Sequence, residues 1–219
     1  MIELKLILTL FALKAFLFFS VIRLINCFEQ DESIGIGRTE GILMSLFILV
    51  SEMLLFRIHR LTVDYFYHGM VIFYMLTTGF IDHKTRNVYR IGSIFFILSN
   101  ILVFAFLYRM GIVERAGVLI LVLIFSIFSI LQGVFKMAGW GDVLTYIGLF
   151  FWFGTWKSTQ CGTFMMLAEI ILVFILIANV LFLLMNVCRL KKWKIQGGGA
   201  YLPAMAAGCV LMEFVAYIL

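Results

Sequence analysis

Long, almost unbroken apolar runs dominate this chain and leave few folds open to it. A helix that crosses a bilayer needs roughly 20 apolar residues, and about eight segments of that kind can be laid along the sequence, at 4–26, 41–57, 66–82, 92–108, 116–136, 142–156, 162–187 and 201–219. Hydrophobic residues make up 64% of the 219, where soluble domains run at roughly 45–50%, and there is a single proline to interrupt a helix. Backbone polar groups inside a bilayer must be satisfied within the chain, which restricts spanning segments to helices or closed barrels. Runs of this length and composition predict helices. We therefore expect an all-α, polytopic membrane protein of about eight transmembrane helices, in the cell membrane, with the lipid bilayer as its first partner.

Charge orients the helices. The net charge of +5 is spread over short loops, which points to the positive-inside rule and away from nucleic acid. The loops "DHKTRNVYRI" at 82–91 and "CRLKKWKIQ" at 188–196 are both basic, so both are expected in the cytoplasm. The helix opening at Asp142, beside Lys136, then also begins inside. The N-terminal part fits less well. The acidic stretch "EQDESIGIGRTE" favours the outside and "RIHR" at 57–60 the inside, whereas the later loops require the reverse. Either one N-terminal segment is re-entrant, or the local charge bias is overridden. The run ending "LINC" is superficially similar to a lipoprotein signal. However, Asn26 stands where processing requires a small residue and Lys14 interrupts the apolar core, so it is expected to be a retained helix.

Four cysteines show no paired spacing, so neither a zinc site nor a disulfide framework is expected from them. The sequence points to no metal and no cofactor. "QGGGA" at 196–200 lacks the Lys-Ser/Thr of a phosphate loop and is expected to be a hinge. Glu52, Glu169 and Glu213 lie inside apolar segments, where they are expected to hydrogen-bond a neighbouring helix or snorkel. His83, beside Asp82, is expected to be a solvated loop residue.

Two of the four aspartates stand where an apolar run meets a basic loop. Asp82 ends "MVIFYMLTTGFID", and Asp142 opens "DVLTYIGLFFWFG" after Gly139 and Gly141. Two crossings separate them, so both are expected at the cytoplasmic face. Two neighbouring carboxylates cannot both ionise easily and come to share a proton. The ionised one can take a proton from water while the other polarises a carbonyl. Gly139 and Gly141 would let the backbone turn sharply and a peptide approach.

"GWGDVLTY" resembles the Gly-x-Gly-Asp box of the type IV prepilin peptidases, which are intramembrane aspartic proteases. "IDHKTRNVYRIGS" resembles their first box, an aspartate at a helix end followed by a basic loop and a hydrophobic residue, here Val88. "GGGAYLPAMAAGC", with Pro203, is similar to the small-residue and proline segment that closes the family's last helix. The resemblance covers roughly residues 66–219. It implies that Asp82 and Asp142 are the catalytic pair, supported by Gly139 and Gly141, with Lys84, Arg86, Val88, Lys136 and Pro203 in substrate or structural roles. It also implies an endopeptidase that removes the basic leader of a prepilin or pseudopilin-like membrane substrate for pilus assembly or secretion. The chain departs from the family pattern at Tyr89-Arg90 and at Leu144. It has no room for the cysteine-bearing insertion that goes with N-methylation, so cleaved products are expected to be unmethylated. Residues 1–60 form an N-terminal helix pair and 61–219 a six-helix catalytic core on this reading. A small membrane transporter, or a catalytically inactive scaffold relative, is the alternative.

Overall fold

The computed structural model describes residues 2–28, 34–85, 90–110, 116–156, 164–190 and 201–218. Its described residues form eight helices and no strands. They are α1 (Ile2–Phe28), α2 (Arg38–His59), α3 (Val63–Thr85), α4 (Arg90–Arg109), α5 (Ala116–Val134), α6 (Trp140–Gly154), α7 (Phe164–Leu190) and α8 (Leu202–Ile218). The protein is thus a polytopic helical membrane protein, with each helix on one of the apolar runs. Among the described residues, five segments are long and apolar enough to cross a membrane: Lys5–Cys27, Arg38–His59, Gly92–Arg109, Ala116–Val134 and Met166–Met185. Helices α3, α6 and α8 fall outside that set for physical reasons. Helix α3 carries polar and ionisable residues, α6 spans 15 residues and α8 spans 17.

The chain forms two compact units. One comprises residues 1–86 and 181–219, the other 87–180, so the second boundary falls within α7. In the first unit α3 packs against α2 and α8, and α1 packs against α2. The boundary anticipated at 60/61 lies in the α2–α3 turn, inside this unit. In the second unit α4 and α5 both pack against α6.

Helices α3 and α6 are largely enclosed by their neighbours. Twelve of the 23 residues of α3 are buried, and ten of the 15 of α6. A helix sheltered in this way need not present an apolar surface to lipid. Helix α3 can therefore carry His68, Thr77 and Asp82, all buried. Helix α6 is lined by aromatic rings, with Phe150, Trp152 and Phe153 fully buried. It runs so close to α4 that a Cβ on Gly148 would stand 2.5 Å from the Phe96 ring.

The connections explain how the helices are held. Asn26 at the end of α1 accepts a hydrogen bond from the Ile34 N–H (2.6 Å) and donates one to the Ile34 carbonyl (3.1 Å), which clamps the turn into α2. Glu40 accepts from the Gly37 N–H at the start of α2 (2.9 Å) and pairs with Lys84 at the end of α3 (2.5 Å). The start of α2 and the end of α3 therefore share one end of the unit. Helices α1 and α2 have 27 and 22 residues, each long enough to span. Pro203, the single proline, lies in the first turn of α8, where its missing N–H is no loss.

Candidate functional site

Asp82 occupies the last turn of α3 and is 6% exposed. One of its carboxylate oxygens accepts a hydrogen bond from the Leu202 N–H at the start of α8, at 3.2 Å. A helix N-terminus presents unpaired N–H groups and a partial positive charge, a setting that suits a carboxylate. The sequence makes this contact reachable through Gly79, one turn earlier on α3. A Cβ there would lie 3.1 Å from the Pro203 Cα and 3.2 Å from the Leu202 carbonyl oxygen. Only a residue without a side chain lets the two backbones close to this distance. Pro203 thus has a packing role beside Asp82.

Asp142 is the third residue of α6, in the other unit, and is half-buried. The N-cap of α6 is Gly139, extended at φ −68° and ψ 145°, and its carbonyl accepts the first helical hydrogen bond from the Val143 N–H (3.0 Å). A Cβ on Gly139 would stand 3.2 Å from an Asp142 carboxylate oxygen. The absence of a side chain at 139 therefore makes room for the carboxylate that the first turn carries. Gly141 lies within that turn, and its carbonyl accepts from the Thr145 hydroxyl at 2.9 Å.

Lys84 is exposed, pairs with Glu40 and sits 5.9 Å above the Phe80 ring. Lys136 closes α5. Its φ of 57° is left-handed, its N–H donates to the Gly133 carbonyl (3.0 Å) and the Met137 N–H to the Gln132 carbonyl (2.8 Å). These two bonds form a Schellman motif, in which glycine is the usual residue at this position, so Lys136 has a structural part in the turn before Asp142. Arg86, Val88 and Tyr89 lie outside the described residues, as do the Gly-rich stretch 196–200 and most of the basic loop after α7. His83 is exposed, but it lies in the last turn of α3 and not in a loop.

Two buried polar clusters tie the first unit together. Glu52 on α2 pairs with Lys14 on α1 and accepts from the Tyr65 hydroxyl on α3 at 2.6 Å. Glu213 on α8 meets His59 Nε2 at the end of α2 (3.1 Å) and His68 Nδ1 on α3 (2.5 Å). Both glutamates do link neighbouring helices, while Glu169 is exposed on α7. The sequence reading passed over His59, His68 and Tyr65. The available signal was spacing: Tyr65 and His68 stand three apart on α3, which places them on one helix face, and Glu52 and His59 stand seven apart on α2. Comparison with known protein families, characterised proteins and solved structures finds no match for this chain.

Proposed function

We propose that the protein is an intramembrane aspartic endopeptidase that removes the basic leader of prepilin- or pseudopilin-like substrates at the cytoplasmic face. Asp82 and Asp142 are the water-activating pair. The supporting observation is where these residues stand. A helix with more than half of its residues buried carries each of them, Asp82 in the last turn of α3 and Asp142 in the first turn of α6. Ionisable groups in membrane helices are expensive and tend to be functional. Each carboxylate also has local backbone geometry that accommodates it, through Leu202 and Gly79 for Asp82 and through Gly139 for Asp142. One carboxylate takes a proton from water as the water attacks the scissile carbonyl, and the protonated partner donates to the developing oxyanion. The substrate's apolar helix would lie among the Phe and Leu side chains of a protein in the same bilayer, with the leader junction at the aspartates.

A second reading has an observation of its own. The Leu202 N–H bond gives Asp82 a structural task at the head of α8, which a catalytically inactive scaffold would also keep. Co-expression with a panel of pilin-like precursors separates the two. Under the protease reading, a cut at the leader–helix junction, identified by N-terminal sequencing, disappears in Asp82→Asn and in Asp142→Asn while both variants still insert and fold. Wild-type cleavage by either variant would refute the pair. No cleavage of any precursor by well-folded wild type would favour the scaffold.

A further inference from the structure

The cluster at the end of α2 has a composition that hydrogen bonding alone does not require. The chain has three histidines, and two of them, from different helices, converge on one buried carboxylate from a third. Glu213 is 1% exposed and His68 6%. The two imidazole rings lie 4.4 Å apart, tilted by 40°. One potential ligand atom from each of His59, His68 and Glu213 lies within 4.8 Å of the other two. Among the described residues, no other group of three histidine, cysteine or acidic side chains converges in this way.

We infer that His59, His68 and Glu213 form a binding site for a divalent cation of the zinc class, which ties α2, α3 and α8 together. Two imidazoles and one carboxylate are a recognised ligand set for zinc, which takes nitrogen and oxygen donors at about 2.0–2.2 Å. Tetrahedral donors at that radius stand roughly 3.4 Å from one another. The His59–Glu213 separation of 3.1 Å is already close to this, and rotations moving donor atoms by about 1 Å would accommodate the rest.

Proton balance is simple. Without a cation, each hydrogen bond between a ring nitrogen and Glu213 holds one proton. On binding, that proton leaves or moves to the ring's other nitrogen, and the lone pair turns to the metal. Two neutral imidazoles and one carboxylate carry one negative charge, so a dication is partly neutralised at a site that burial makes unfavourable for unpaired charge. Glu213 and His68 are sealed inside, but the His59 side chain is 17% exposed. That side supplies an entry route and a fourth position for water.

The cluster is far from Asp82. Leu202 sits beside Asp82 and Glu213 beside His68, so α3 and α8 run antiparallel, and 14 residues of α3 separate Asp82 from His68. At 1.5 Å per residue this is about 21 Å along the helix. The cluster uses none of the residues assigned to the proposed peptidase chemistry.

The test uses the full chain without a histidine tag, in nanodiscs, stripped with a chelator and then titrated with Co²⁺ or Zn²⁺. We expect saturable Co²⁺ absorption of the tetrahedral type, one zinc retained per chain by elemental analysis, and a rise in melting midpoint when zinc is added. His59→Ala and His68→Ala should each weaken binding at least 100-fold. Glu213→Gln keeps size and hydrogen-bonding capacity, and should fold yet lose the zinc-dependent rise. His83→Ala should bind like wild type. Folded wild type that retains no zinc and shows no saturable cobalt spectrum would overturn the site, as would loss of binding in His83→Ala or full binding in Glu213→Gln.

Discussion

At the scale of single residues, the ends of helices carry much of what is distinctive here. Lys136 sits in a left-handed conformation at the close of α5, which costs a side-chain-bearing residue roughly 1–2 kcal/mol relative to the right-handed region. Lys136→Gly should therefore stabilise the protein by about 0.5–1 kcal/mol, once the extra freedom of glycine in the unfolded chain is subtracted. Denaturant titration in detergent would show this as a higher midpoint with an unchanged slope. Gly139 is different, because its φ of −68° and ψ of 145° suit any residue. What a methyl group would meet is the Asp142 carboxylate, at 3.2 Å, so the carboxylate must shift by a few tenths of an ångström. Gly139→Ala should cost about 1 kcal/mol or less in stability. If Asp142 is catalytic, it should slow leader cleavage about tenfold, since small displacements of a reacting group are expensive. Rate and stability measured side by side would separate the two effects, and an unchanged rate would count against a catalytic Asp142.

At the scale of helices, polar contacts fix which faces meet. Lys14, Glu52 and Tyr65 come from three consecutive helices and satisfy one another in a buried setting. Removing one charge of a buried pair is worse than removing both, because the survivor stays desolvated without a partner. Lys14→Met should therefore destabilise by about 3–5 kcal/mol, whereas the Lys14→Met/Glu52→Met double variant should recover a large part of that. Thermal unfolding of the two single variants and the double completes the cycle, and strict additivity would contradict a direct pair. The α3–α8 crossing shows the same selectivity through shape. Gly79 lets backbone meet backbone, and only then does Asp82 reach the Leu202 N–H.

At the scale of the whole molecule, the antiparallel course of α2, α3 and α8 in the first unit can be checked directly. Thr62 in the α2–α3 turn and Lys84 at the end of α3 bracket a helix of 23 residues, about 34 Å long. Introduced singly in a background without other cysteines, Thr62→Cys and Lys84→Cys should react with an impermeant maleimide from opposite sides of the membrane, Lys84→Cys from the cytoplasm. Labelling from the same side would mean that α3 does not cross. Much of this organisation was legible in the sequence. In a bilayer the backbone must bond within each segment, so hydropathy alone marks where helices run, and all eight appear where the apolar runs lie. Asp82 at the end of α3 and Asp142 in the first turn of α6 were legible for the same reason, since a carboxylate at the edge of an apolar run stands out locally. Glu52 and Glu213 could be read as links between helices, but not what they link to. The partners of Glu213 lie 154 and 145 positions away, and Asp82 meets an amide 120 positions on. Such pairings depend on which helix faces turn towards each other, and packing between distant segments settles that. The sequence by itself therefore determined the helices, their membrane character and the aspartates at their ends. Only the tertiary structure decided that His59 and His68 converge on Glu213 and that Asp82 heads α8, because those contacts exist only once separate helices are packed.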